Sequence, residues 1–533
     1  MKLNKTIIAI LVCSIWMISC KKQTFVDANI DPNVLYGVDP GDQFLAAASG
    51  SQDDFEYYYD VYRDLMPWMQ YSTPESGNGL NFTSVGSNFD YRYGKVFYGR
   101  VGTYLSDIPV LVSKMTPEQQ PARAYEVAIA AIFKAYYAFY VSDINGSIPY
   151  SQAFQARYGG TLTPVYDPQQ QLFDTLDLQI KNAVKVLETS QGTEQVLFGA
   201  KDPFFGSASD EATEWAKAGN ALRLKIAMRL MKRDPSKLKA IATEVLSDAN
   251  QMSSVADTWV LLVGPAYANG TGNYNPNGFV AAKPVIDFFK AHDDPRLRIY
   301  YRPNKDGEYV GSFTNPDVSH LPQNAALYSV DDTLSAIQHR LFAPNYDEGD
   351  GNGVGDGTGF FPFLTYAEYC FIRAELGARN ITSDDAGTWY TKGVTASITF
   401  YDQRATAAKI SGYTPVTQTE IDDYLASSGV AFDASKAIDQ IACQAYIDFY
   451  RQPSEAWAWW KRTGYPNTTS VLAWEPLTSN GAALKLPRRA PLTPLPVTDA
   501  NYANQQAAFE EMQQDAGFGS PQDPNGRVWW DAQ

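Results

Sequence analysis

The chain of 533 residues carries 43 Lys and Arg against 59 Asp and Glu, and its formal net charge of −16 excludes nucleic-acid binding through a basic face. Three histidines, His292, His320 and His339, stand far apart, and no HExxH, CxxC, phosphate-loop or GxSxG pattern occurs, so nothing positive points to catalysis. A glycosidase carboxylate pair leaves no motif and stays open.

The first segment reads as a bacterial lipoprotein leader. Lys2 and Lys5 precede an apolar run from Thr6 to Met17, and Met17-Ile18-Ser19-Cys20 forms a lipobox. The expectation is cleavage of residues 1–19 and acylation (palmitate) of Cys20, leaving a lipid anchor and no spanning helix. Lys21 and Lys22 follow without an Asp at the second position, which points to the outer membrane. Residues 20–40, with turns at Asp31-Pro32-Asn33 and Asp39-Pro40, read as a tether, and residues 41–533 as a single helical domain.

The elements expected beyond the tether are helices. Residues Asp42 to Tyr71 carry Phe44, Leu45, Phe55, Tyr58, Tyr59, Tyr62, Leu65 and Met69 at helical spacing, predicting one long helix that ends at Trp68 and Tyr71. Tyr98 to Met115 and Ala122 to Val141 predict an antiparallel pair, with Ala128, Ala131 and Ala135 permitting close contact. Asp167 and Pro168 are placed to start a helix through Leu187. A helix from Ala212 to Arg233 stops at Asp234-Pro235, and its Arg223, Lys225, Arg229, Lys232 and Arg233 read as a solvated face or, alternatively, an anion site. Two further pairs are expected: Thr365–Arg379 with Asp384–Gln403, and Ser435–Arg451 with Ser454–Arg462. Such pairs suggest tetratricopeptide-like stacking in a mostly α protein. Cys370 and Cys443 lie in apolar helical patterns and read as buried free thiols.

Three long stretches are not needed by a helical scaffold: Leu262 to Phe279, Tyr300 to Gln323, and Phe342 to Phe363. Loops of this length in a compact body are usually functional or disordered, and they are where a ligand is expected. With 34 Tyr and 11 Trp in the chain, the ligand-binding candidates are Trp68, Tyr71, Asn78, Tyr267, Asn269, Tyr274, Asn275 and Phe279, rings for a flat ligand face and amides to orient it. Asp347, Glu348, Asp350, Asn352 and Asp356 sit among glycines and supply the hard oxygens that Ca²⁺ prefers; the alternative is a solvated acidic loop.

Several strings together resemble the SusD/RagB family of nutrient-binding outer-membrane lipoproteins, especially its SusD-like branch. They run in order from Asp31-Pro32-Asn33 through Asp143–Ala153, Trp215–Leu230, Asp293–Leu297 and Phe361–Leu376 to Glu455–Pro466 and Leu486–Pro494. The resemblance implies a right-handed superhelical scaffold with irregular ligand loops. It implies a non-catalytic protein, lipid-anchored and exposed at the cell surface, that captures oligosaccharides or oligopeptides and passes them to a SusC-like TonB-dependent barrel. A cell-surface glycosidase or peptidase on the same scaffold is the alternative. No binding residue transfers by motif, and the arginines of Glu455–Pro466 and Leu486–Pro494 read as ion-paired structural groups.

Overall fold

The computed structural model describes residues 38–77, 89–269, 274–329, 332–349, 351 and 353–533; the leader, Cys20 and the Asp31–Asn33 string lie outside them. The body is mostly helical, its main helices packed in sequence-adjacent pairs.

The long helix expected from Asp42 to Tyr71 is divided. Helix α1, Pro40–Ser49, ends at Gly50, and a π-helix over Glu56–Leu65 runs into a single α-turn at Met66–Trp68. Asp53 restarts the chain, its Oδ1 accepting from the Phe55 and Glu56 amides at 3.1 and 3.4 Å. This capping interaction competes locally with a continuous helix, which periodicity alone does not register. A further π-helix, Tyr91–Val101, leads directly into α2, Gly102–Ser113.

From there the helices stack pairwise. Helix α2 packs on α3 (Ala124–Asn145), α3 on α4 (Gln169–Glu188), α4 on α5 (Glu211–Met228), and α5 on α6 (Pro235–Leu246). Helix α3 is long and apolar enough for a membrane span, yet 78% of that stretch is buried in the protein, so it serves as the central core helix. At Gly219 a Cβ would meet Val184 Cγ2 at 2.6 Å, so only glycine permits the α4–α5 approach. Asp210 and Asp234 cap α5 and α6 through the amides of Thr213 and Lys237. Asp167 does not cap α4: Pro168 holds that position, and the Asp167 carboxylate accepts from the Tyr150 and Ser151 amides at 2.8 and 2.9 Å.

Helix α7 (Lys283–Ala291) opens the central region. The C-terminal half comprises α8 (Tyr366–Ala378), α9 (Ala386–Ala407), α10 (Gln418–Ala426), α11 (Ala437–Asp448) and α12 (Pro453–Thr463), followed by α13 (Tyr502–Met512). Thr365 and Asp385 cap α8 and α9, so both expected C-terminal pairs form. Short antiparallel ladders fasten the long connections to the helices. Strand β1 (Ser72–Pro74) pairs with β3 (Phe279–Ala281), and β2 (Trp259–Val263) with β4 (Gly359–Leu364). Cys370 and Cys443 are buried free thiols, as their apolar settings predict.

The basic side chains of α5 and of Arg229 just after it form neither a solvated face nor an anion site at their core positions. Arg229 is 1% exposed and pairs with Asp143 at 2.9 Å and Glu455 at 2.8 Å. Lys225 reaches Glu368 at 3.0 Å and Glu455 at 3.1 Å, and Arg223 reaches Asp177 and Glu244. Carboxylates from α3, α8 and α12 thus converge on one helix and tie the two halves together. Burial pushes the Glu368 carboxyl up, while the Arg229 and Lys225 charges overcome burial and hold Glu455 down. The Asp293–Leu297 string is structural in the same way: Arg296 is fully buried, paired with Asp294 at 2.8 Å and bonded to Ser397, Tyr424 and Gln444. Arg462 pairs with Glu375 and Arg488 with Asp531, as expected; Arg489 instead donates to the carbonyls of Ala490 and Pro521.

Candidate functional site

The two π-helices create the surface most suited to a ligand. Their i→i+5 turns are wider than α-turns. Phe55, just before the first, and Tyr59 within it lie 6.3 Å apart with planes 10° from parallel. Tyr91, opening the second, lies 5.6 Å from Phe55 and 5.8 Å from Tyr59, at 16° and 9°. The three distances make a triangle, not a column, so the rings share one orientation side by side, and each stays partly exposed.

Polar groups rim this platform. The Tyr58 ring stands at 89° to Tyr59, and the exposed Arg63 guanidinium covers Tyr58 at 4.3 Å while donating to its hydroxyl. Lys95 Nζ sits 4.9 Å from the Phe55 ring and pairs with Asp53 at 2.7 Å. Behind the platform Glu56 pairs with Arg92 at 2.9 Å. Asp60 is fully buried, and among the described residues neither of its carboxylate oxygens has a hydrogen-bond partner; burial pushes its carboxyl well up, toward the neutral acid. Burial likewise raises Asp64 to about 7.

The loop after β2 is pinned against the same region. Tyr62 donates its hydroxyl to the Tyr274 carbonyl at 2.5 Å, and Tyr267 donates to the Ser49 carbonyl at 2.9 Å. Tyr274 packs on Tyr57 and on Phe361 of β4, at 5.4 and 5.5 Å. Of the candidates in this loop, Tyr267, Asn275 and Phe279 keep partial exposure, whereas Tyr274 is 7% exposed and acts as a plug.

Trp68 and Tyr71 are not at a ligand surface. Each is 1% exposed: Trp68 packs against Phe89 and Trp457, and Tyr71 stacks on Tyr446 at 4.3 Å and 4°. Tyr446 in turn donates to the Met69 carbonyl at 2.6 Å. The turn that ends the first helical stretch dives into the core because α11 and α12 cover it. Asn78 and the side chain of Asn269 lie outside the described residues.

The acidic loop is placed as follows. Asp347 accepts from the Gly349 amide, Glu348 lies 3.7 Å from Arg340, and Asp356 pairs with Lys409 at 2.7 Å. Asp350 and Asn352 lie outside the described residues, and among the described ones no three His, Cys, Asp or Glu side chains gather at metal-binding distance.

Phe55, Tyr58, Tyr59 and Tyr91 are the residues that sequence reasoning assigned to packing or passed over. The available signal was density: Phe55, Tyr57, Tyr58, Tyr59 and Tyr62 crowd more rings into eight positions than one helix face can bury. Tyr57 and Tyr62 take the core, and the others stay outside.

The described residues thus form a helical-repeat scaffold that displays an aromatic platform. Residues 43–490 match the SusD-like family described as "Starch-binding associating with outer membrane", and the chain belongs to that family. No curated protein matches it. Solved structures agree in fold. A chitin-binding protein is 21% identical with a TM-score of 0.71, over 93% of this chain and 100% of that one. A SusD homologue from Bacteroides fragilis is 22% identical with a TM-score of 0.66, over 92% and 100%. A chitin-binding SusD homologue from Flavobacterium johnsoniae is 19% identical with a TM-score of 0.64, over 93% and 98%.

Proposed function

We propose that this protein captures oligosaccharides at the outer membrane and hands them to a SusC-like TonB-dependent barrel, held there by a lipid on Cys20. The platform of Phe55, Tyr59 and Tyr91 carries the reading. Parallel, partly exposed rings offer flat apolar faces to the C–H faces of successive sugars, while Arg63, Lys95 and Tyr58 supply hydrogen bonds at the rim. Extended peptides present no comparable run of flat faces. Family membership and the chitin-binding neighbours support a glycan, and chito-oligosaccharides and malto-oligosaccharides are the first to try. Capture and release need differential contact with ligand, not a nucleophile.

The test is calorimetric titration of the protein with chito- and malto-oligosaccharides and with mixed oligopeptides, with product analysis of every mixture. Saturable binding of one glycan class without cleavage is expected. Binding of peptides alone, or release of shortened products, overturns the reading.

A further inference from the structure

On the side of the repeat stack formed by α2, α3, α4 and the loop after α3 lies a cavity of about 300 Å³, lined by none of the platform rings. Its walls are the rings of Tyr150, Phe154 and Tyr158. Lys134, in the middle of the central core helix, opens into it, with Nζ 5.0 Å from the Tyr150 ring and 5.1 Å from the Phe154 ring. Among the described residues no carboxylate or carbonyl accepts from this ammonium. The nearby acid, Asp107, is already taken by Arg157 at 2.9 Å and by the Tyr158 hydroxyl. Lys134 is partly exposed, so its ammonium is open to an anion entering the cavity. Burial lowers the Lys134 ammonium to about 8, which leaves it charged at neutral pH.

Leu105, Ser106 and Gln179 also border this space and carry polar groups. The Ser106 hydroxyl is buried and unbonded among the described residues. Pro109 lies inside α2 and has no N–H to give the Leu105 carbonyl one turn before it, and both Leu105 and Ser106 line the cavity. Gln179 of α4 is held in place by the Tyr150 hydroxyl, which donates to its Oε1 at 2.6 Å, and its amide nitrogen remains to donate.

We propose that this cavity binds a sugar acid, its carboxylate on Lys134, its hydroxyls on Ser106, the Leu105 carbonyl and Gln179, and its ring face on Phe154 and Tyr150. One ammonium without an arginine fork or a nest of backbone amides suits a single carboxylate better than a phosphate. The volume sits at the low end of ligand pockets and takes one sugar residue. The site is separate from the platform, so its failure leaves the capture reading intact.

Titration with methyl β-glucuronide, methyl β-glucoside and acetate, followed by calorimetry and ligand-observed NMR, tests the assignment. The glucuronide is expected to bind saturably and at least tenfold more tightly than either the neutral glycoside or acetate. Lys134→Met should weaken it at least tenfold and Ser106→Ala a few-fold, with binding of neutral oligosaccharide at the platform and thermal unfolding both unchanged. No glucuronide binding, equal displacement by acetate or glucoside, or an unchanged affinity in a folded Lys134→Met protein would each overturn the proposal.

Discussion

Phe55 and Tyr59 hold their rings 6.3 Å apart and 10° from parallel, one helical turn apart on the same face where the chain enters the π-helix. The alignment belongs to the backbone, so the platform is set before ligand arrives, which lowers the ordering cost of binding. Replacing Tyr59 by Ala removes one ring face and leaves Phe55 and Tyr91 in place. Affinity for the bound oligosaccharide is expected to fall about tenfold, roughly 1.4 kcal/mol. Calorimetry of Tyr59→Ala beside Tyr91→Ala measures it, and unchanged affinity in both would remove the platform from the site.

Trp68 and Tyr71 should behave oppositely. Both are sealed in the core, so Trp68→Ala is expected to cost about 3–5 kcal/mol of stability. The fraction that remains folded should bind ligand with the parent affinity. Denaturant unfolding paired with titration separates the two effects, and a large affinity loss at full stability would return Trp68 to the ligand surface.

Breaking the buried ion network should be severe. Glu455→Gln leaves Arg229 and Lys225 short of a shared anion and is expected to destabilise by about 3–5 kcal/mol. Glu455→Leu combined with Arg229→Met, which also frees Asp143, should not restore full stability. A stability of either variant within 1 kcal/mol of the parent, read by denaturant midpoint, would show that the network is dispensable.

The same network predicts a pH slope. Burial raises the Glu368 carboxyl in the folded chain, so between its ordinary value and its folded value the folded state holds a proton that the unfolded state has lost. Its contribution is present below the ordinary carboxylate range and disappears as pH rises through the folded value, toward about 8. Burial gives Asp64 and Glu211 the same direction, each to about 7. Glu455 works the other way, losing its contribution as pH falls toward about 2. Melting temperature is therefore expected to drop from pH 5 to pH 8, and Glu368→Gln should flatten that drop by on the order of 2 °C. A Glu368→Gln profile parallel to the parent would assign the slope to other groups.

Much of the helical frame was readable from local chemistry. Thr365 and Asp384-Asp385 mark helix starts, Asp234-Pro235 marks the end of one helix though its role as the cap of α6 was passed over, and the apolar stripes of α4 and α8 are visible at helical spacing. The site was less legible. Trp68 and Tyr71 border a Gly- and Asn-rich stretch, a surface signal, yet they are covered by Trp457 and Tyr446, which come almost four hundred residues later. The basic residues of α5 look solvated because their carboxylates arrive from α3, α8 and α12, and no local window contains them. The π-turns left only an excess of rings, since apolar periodicity does not distinguish five residues closing a turn from four.

The charge network also constrains how the chain acquires its structure. Lys225 and Arg229 belong to the first half, but Glu368 and Glu455 are not supplied until the second half is in place. An N-terminal half on its own would retain only Asp143 against two interior cations. The first half is therefore not electrostatically self-sufficient: a chain truncated before α12 would lack Glu455 and leave Arg229 with Asp143 alone.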